Sequence, residues 1–135
     1  MSRWDGLVPW YKRHEQFSLQ STVTCLAMTE SYNAGAILEV GCGPGLHSEF
    51  IARNYLKEGG VLVSCDFSKE MVIAMKDRYS ESDFTKQPGN LVNFDTETDY
   101  VGDSSLTVQI QSSGDGPRAG RQVFGCRADN MRLPF

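Results

Sequence analysis

A glycine-rich turn between an apolar run and a helical pattern most constrains the fold of this chain. Residues 36–40 read AILEV, residues 41–45 follow at once as GCGPG, and apolar positions at helical spacing then predict a helix over 46–56. Glycine lets the backbone turn sharply and lets a ligand approach the main chain, while the free N–H groups that begin the helix point at that ligand. The pattern therefore predicts a ligand-binding turn between a buried strand and a helix.

The well-patterned part of the sequence continues this alternation of strands and helices. A second apolar run, residues 61–65, predicts a buried strand that Asp66 closes, and Ser68 is the expected N-cap of the next helix. Residues 122–126 predict a third short strand. The order strand, helix, strand, helix is typical of an α/β protein with a parallel sheet and right-handed crossovers.

An acidic, polar stretch separates the second helix from the third strand. Residues 80–122 carry seven acidic and three basic side chains, so this stretch alone accounts for the formal net charge of −4. We interpret it as a solvated insertion, in which residues 101–111 alternate as a hairpin strand would. The predicted domain is therefore an α/β unit over 36–135 with an insertion at about 80–122.

An amphipathic helix is predicted ahead of this domain. Residues 1–35 form the N-terminal helical segment, with the helix itself over about 10–31. Trp10, His14 and Phe17 recur at helical spacing and share one face. We expect that face to pack against the sheet.

Charge and cysteine usage exclude several classes of protein. The chain has 135 residues, with 13 Lys and Arg against 17 Asp and Glu, which argues against a broad nucleic-acid-binding surface. No apolar run approaches the ~18–20 residues that span a bilayer, and the first ten residues lack the apolar core of a secretory signal. The four cysteines form no CxxC pair. We therefore predict no metal site, structural thiols, and a reducing, cytoplasmic location.

Acidic side chains stand at the carboxyl ends of the predicted strands. Asp66 ends the second strand and Asp129 follows the third, so both are expected at the same sheet edge as the glycine turn. A carboxylate accepts hydrogen bonds from the two hydroxyls of a ribose, and Phe67 offers a flat face to a purine. Leu46 stands where a dinucleotide fingerprint, GxGxxG, has its last glycine, so a nucleoside pocket of another kind is predicted.

Three segments, in chain order, carry motifs at these strand ends. Residues 38–45 read LEVGCGPG, residues 63–71 read VSCDFSKEM, and residues 128–135 read ADNMRLPF. Together they resemble three motifs of the class I S-adenosylmethionine-dependent methyltransferases. The resemblance implies a Rossmann-like, three-layer α/β/α parallel sheet that is incomplete, holding the first three strands of the family's seven.

The resemblance also implies which residues hold the cofactor, S-adenosyl-L-methionine. Glu39 would help to hold the methionine amino group. Gly41 and Gly43, with Cys42 between them, would bring the backbone close to the methionine and the ribose. Asp66 would take the ribose hydroxyls.

The adenine ring would be held by a further group of residues. The resemblance places Phe67 and Met71 beside the ring, and Asp129 with the backbone of Asn130 at its amino group. The implied reaction is transfer of a methyl group from a sulfonium to a nucleophile, in which placing donor and acceptor in line supplies most of the catalysis. No catalytic residue is identified, and a small-molecule acceptor is expected because no basic surface is visible.

Two other functions stay open from the sequence. The family continues into a fourth strand beyond the point where this sequence ends, so a truncated enzyme or a non-catalytic nucleotide-binding or scaffold module is one alternative. A fragment of an NAD- or flavin-dependent oxidoreductase is the other. An incomplete sheet would leave an outer edge unpaired, so we expect marginal stability, with self-association through that edge or dependence on a partner.

Overall fold

A computed structural model describes residues 3–86, 90–95 and 120–127 of the chain. The strands of these residues form one sheet of order β1-β2-β4-β3, in which every pairing is parallel. The fold is an incomplete Rossmann-like α/β fold, which confirms the predicted class. In chain order the elements are α1 (Val8–Met28), β1 (Ala34–Val40), α2 (Leu46–Asn54), β2 (Leu56–Asp66), α3 (Lys69–Glu81), a 3-10 helix (Asp83–Lys86), β3 (Leu91–Asp95) and β4 (Gln122–Arg127).

Helices α2 and α3 begin close to the residues that the sequence signals predict. Gly45, in the left-handed conformation with φ 88°, precedes α2. The Oγ atom of Ser68 accepts a hydrogen bond of 3.3 Å from the N–H of Met71, which confirms Ser68 as the N-cap of α3. The predicted end of α2 is two residues too late, because Leu56 pairs with Ala34 of β1 instead of continuing the helix.

The buried core lies between the sheet and helices α2 and α3. Both helices cover the same sheet face, since the Oγ atom of Ser48 on α2 contacts Glu39 of β1 and also lies 3.3 Å from the sulfur of Met75 on α3. On the opposite face, Leu38 and Val40 are 46% and 42% exposed. The core side chains come from both layers and include Ala52, Leu62, Met75, Tyr79 and Val123.

Strand β3 is an element that the sequence pattern did not predict. Leu91–Asp95 pairs in parallel with β4, and Val92 and Phe94 pack against the buried core. These five residues lie inside the stretch that we interpreted as a polar insertion. Their few apolar side chains were the only local sign of a strand. The predicted hairpin strand over 101–111 lies outside the described residues.

Helix α1 packs differently from the prediction. Its predicted apolar face is turned outward, with Trp10 54% and Phe17 81% exposed and the rings of Trp10 and His14 stacked at 4.4 Å. The helix instead buries Glu15, and it packs mainly against α2 and α3, with Leu26 against the buried core. In the described part of the chain, no helix is long and apolar enough to cross a membrane.

Candidate functional site

The glycine turn lies at the carboxyl ends of β1 and β2 and forms the centre of the candidate site. The N–H groups of Gly41 and Cys42 both donate to the carbonyl oxygen of Cys65, at 2.8 and 3.1 Å, which ties the turn to the end of β2. Gly41 and Gly43 have φ values of 76° and 55°, and a Cβ atom on either would meet nothing within 4 Å. The turn therefore requires glycine for its conformation and has open space beside it.

Gly45 serves a different purpose from the two glycines before it. A Cβ atom at this position would lie 2.3 Å from the Cγ atom of Met75 and 3.2 Å from its Cα atom. The missing side chain thus lets the start of α2 lie directly against α3. In a dinucleotide site the last glycine brings helix and strand together, whereas here a glycine one position earlier brings two helices together.

Asp66 lies at the end of β2 with its carboxylate directed at the turn. Its Oδ2 atom accepts a hydrogen bond of 2.9 Å from the N–H of Gly43, and its Oδ1 atom accepts one of 2.8 Å from the N–H of Ser68. An ionised carboxylate has about four acceptor positions, so these two bonds leave room for further donors. The expected proximity of Asp66 to the turn is present, and its role in binding ribose stays a prediction.

Burial shifts the titration of this carboxyl group. Removal from water raises the pKa of Asp66 above its ordinary value, and the N–H groups of Ser68, Gly43 and Phe67 partly offset that rise. The nearby carboxylate of Asp5 raises the pKa further. The Asp66 carboxyl group therefore ionises less readily than that of a solvated aspartate at the end of a strand.

Glu39 precedes the turn on the helix-covered face of β1. Its Oε2 atom accepts hydrogen bonds from the hydroxyls of Ser48, at 2.6 Å, and Ser64, at 2.7 Å. Burial raises the pKa of Glu39, and the two hydroxyls partly offset this. Since α2 supplies Ser48 and the neighbouring strand supplies Ser64, the carboxylate is held in one orientation at the base of the turn.

The predicted adenine-binding residues are only partly covered by the structure. Phe67 follows Asp66 and is half-buried, and its carbonyl oxygen accepts a hydrogen bond of 3.1 Å from the Nε atom of Arg127. Met71 is buried in the first turn of α3, with 2% of its surface exposed. Asp129 and Asn130 lie outside the described residues.

Several polar residues of the site were not predicted. Ser48 and Ser64 hold Glu39, and Ser64 could have been noticed as a polar residue inside the apolar run that forms β2. Asp5 accepts a hydrogen bond of 2.6 Å from the hydroxyl of Ser68, so the N-terminal segment lies across the start of α3. No local pattern predicts that contact, because it joins residues 63 positions apart.

The thiols near the site differ in exposure and reactivity. Cys25 is exposed, whereas Cys42 and Cys65 are buried, and the Cys42 side chain belongs to the core. Burial raises the pKa of Cys42 well above its usual range. The pKa of Cys65 is also raised, mainly by a hydrogen bond with Cys126 and to a lesser extent by burial.

We therefore expect a thiol-specific disulfide reagent at mildly alkaline pH to modify Cys25 rapidly. Cys42 and Cys65 should react only when the protein unfolds, because the thiolate is the reactive species and burial disfavours it. Cys25→Ser should remove the contribution of Cys25 to the rapid phase measured by absorbance, and any remaining rapid reaction should map to the half-buried Cys126. Rapid modification of Cys42 or Cys65 in the native protein, located by peptide mass analysis, would contradict this.

A parallel α/β sheet with a glycine turn after one strand and an acid ending the next is typical of nucleotide- and nucleoside-binding domains. The methyltransferase domain family matches residues 37–113 of this sequence. The chain therefore belongs to the methyltransferase domain family.

A curated relative supports the same family. N-demethylindolmycin N-methyltransferase from Streptomyces griseus is 31% identical over 85 residues, which cover 60% of this chain. That region spans 31% of the relative's own length. No solved structure matches the chain at a significant level.

Proposed function

We propose that the chain binds S-adenosylmethionine at the carboxyl ends of β1 and β2 and serves methyl transfer from it. The observation that carries the proposal is the 2.9 Å contact between the Asp66 carboxylate and the N–H of Gly43. This contact brings an acceptor for ribose hydroxyls to the backbone turn that a methionine moiety would follow. The open space beside Gly41 and Gly43 is compatible with close approach of a ligand to the main chain.

The charges around the turn favour a cationic nucleoside over a dinucleotide. Glu39 and Asp66 flank the turn, and Asp5 is close enough to Asp66 to affect its pKa. S-adenosylmethionine carries a sulfonium and an ammonium group against one carboxylate, whereas the pyrophosphate of NAD or a flavin dinucleotide is anionic. An acid in the position of Asp66 also accepts a ribose hydroxyl of NAD, so the distinction rests on Glu39, whose carboxylate at the base of the turn would repel a pyrophosphate bound there.

The residues of the chain would bind and orient the donor. When bound, S-adenosylmethionine supplies an electrophilic methyl group. Asp66 would accept hydrogen bonds from the ribose hydroxyls, Glu39 would hold the amino group, and Phe67 would lie against adenine. Their contribution is to fix the direction of the methyl group, which is where most of the rate enhancement in such a transfer arises.

For the acceptor we propose a small molecule. The Streptomyces griseus relative is named as an N-methyltransferase of N-demethylindolmycin, and the net charge of −4 argues against a nucleic acid. The thiols suit a reducing compartment, and we propose the cytoplasm. Self-association through an unpaired sheet edge stays a prediction.

Calorimetric titration with S-adenosylhomocysteine, and with NADH for comparison, tests the proposed donor. We expect saturable binding of one S-adenosylhomocysteine and no heat of binding with NADH. Tight NADH binding would favour the oxidoreductase alternative, and absence of S-adenosylhomocysteine binding would overturn the proposal. Binding without turnover across a broad acceptor panel would instead favour a non-catalytic module.

The affinity for S-adenosylhomocysteine should fall as the pH is lowered through the pKa of Asp66. A protonated carboxyl loses acceptor capacity, and since burial raises this pKa, the loss should begin at a higher pH than for a solvated aspartate. Titrations between about pH 8 and about pH 4 measure this profile. Asp66→Asn should bind weakly with a flatter profile, and a wild-type profile identical to that of Asp66→Asn would contradict the prediction. The pKa of Glu39 is raised as well, so the profile of Glu39→Gln shows how much of the pH dependence comes from that carboxyl group.

A further inference from the structure

One guanidinium group on α3 contacts both the glycine turn and the N-terminal helix. The Nε atom of Arg78 donates to the carbonyl oxygen of Pro44 at 3.0 Å, and its Nη2 atom donates to Oε1 of Glu15 on α1. The side chains of Arg78 and Glu15 are only 21% and 9% exposed. Water therefore competes weakly for these contacts, which distinguishes them from an exposed surface ion pair.

Arg78 balances the charge of Glu15 at a position with little access to water. Glu15 is the buried residue of α1, and within the described residues its Oε2 atom is buried without a hydrogen-bond partner. A buried carboxylate is costly unless it is paired, and a well-packed apolar residue often stabilises such a position as well as an ion pair does. The pair is therefore poorly explained by stability alone.

The contact with Pro44 completes the support of the turn. The N–H of Gly43 donates to Asp66 on one side, while the carbonyl of Pro44 accepts from Arg78 on the other. The next residue, Gly45, is the N-cap of α2. The peptide unit that joins Cys42 to Gly43 and the one that joins Pro44 to Gly45 are therefore held by side chains from β2 and α3, respectively.

We propose that Arg78 is a positioning residue for the glycine turn and that Glu15, from α1, holds Arg78 in place. The N-terminal helix thereby acts on the shape of the donor site through Arg78. The effect on donor affinity rests on the proposed function, whereas the effect on the turn itself does not.

Arg53 offers a matched control within the same molecule. Its guanidinium pairs with Glu49 and Asp83 and donates a hydrogen bond of 2.8 Å to Ser82. These contacts join α2 to the segment after α3 and involve no residue of the turn. Variants at Arg53 therefore lose a guanidinium ion-pair network, one more exposed than that of Arg78, while leaving the support of the turn intact.

The test compares Arg78→Gln and Arg78→Lys with Arg53→Gln and Arg53→Lys in the full chain. We expect Arg78→Gln to weaken S-adenosylhomocysteine binding about tenfold, and the Arg53 variants to change it by less than about twofold. Arg78→Lys should rescue part of the loss, because lysine keeps the charge beside Glu15 but cannot supply the forked geometry of a guanidinium. Glu15→Gln should weaken binding less than Arg78→Gln does.

Amide hydrogen exchange provides a readout that needs no ligand. In Arg78→Gln, exchange at Gly43 and Gly45 should accelerate about tenfold more than exchange at Leu62, whose amide in the sheet reports global unfolding. Equal acceleration at all three amides, or equal behaviour of the Arg78 and Arg53 variants, would overturn the proposal. If wild-type protein fails to bind S-adenosylhomocysteine, the proposed function falls while the exchange comparison still decides the role of Arg78. If Arg78→Gln does not fold, Arg78→Lys carries both measurements.

Discussion

Asp66→Ala is expected to weaken binding of S-adenosylhomocysteine by a factor of about ten to more than a hundred. The variant removes a charged acceptor for ribose hydroxyls, and a hydrogen bond to a charged group is worth about 1.5–3 kcal/mol. It also removes the acceptor of the Gly43 and Ser68 N–H groups, so the turn loses its tie to the end of β2. Calorimetric titration of folded variant and wild type measures the effect.

Asp77→Ala is the matched control for this prediction. Asp77 is an exposed aspartate on α3, so its removal changes the net charge equally without touching the turn. Its dissociation constant for S-adenosylhomocysteine should stay within about twofold of the wild-type value. Unchanged binding in Asp66→Ala, with circular dichroism showing a native fold, would contradict the proposed ribose contact.

Gly45→Ala should lower the free energy of unfolding by about 2–5 kcal/mol. An alanine in the left-handed conformation costs about 1–2 kcal/mol, and overpacking a filled site adds about 1–3 kcal/mol. The overpacking arises because the new Cβ would lie 2.3 Å from the Cγ atom of Met75 and 3.2 Å from its backbone. Movement of a flexible side chain alone therefore cannot relieve it. Urea unfolding followed by circular dichroism measures the loss.

Gly59→Ala separates the two contributions. Gly59 also has a positive φ, of 68°, but a Cβ there would meet nothing within 4 Å. Its substitution should cost only the backbone contribution of about 1–2 kcal/mol. Equal destabilisation by both substitutions would show that contact between α2 and α3 at Gly45 is not what requires glycine.

The predictable part of the fold is the part encoded by local patterns. The strand before the turn, the strand ending at Asp66 and the N-cap at Ser68 all follow from short runs of sequence. The proximity of Asp66 to Gly43 follows as well, because parallel strands bring their carboxyl ends to one edge of the sheet. Local patterning and one topological rule thus suffice for the centre of the site.

The unpredicted part depends on contacts between distant segments. The periodicity of Trp10 and Phe17 indicated a buried face, yet α1 turns that face outward and buries Glu15, whose partner Arg78 is 63 residues away. The requirement for glycine at position 45 depends on Met75, 30 positions further on. Strand β3 is short and lies in a polar stretch, so its pairing with β4 outweighs a weak local signal.

A crystal structure of the chain with S-adenosylhomocysteine tests the central claim most directly. We expect the ribose hydroxyls within ~2.7 Å of the Asp66 carboxylate and the amino-acid moiety over Gly41 and Gly43. The claim would be contradicted if the adenosine bound at another edge of the sheet. It would also be contradicted if, at saturating ligand, the Asp66 carboxylate contacted only backbone N–H groups and no ribose hydroxyl.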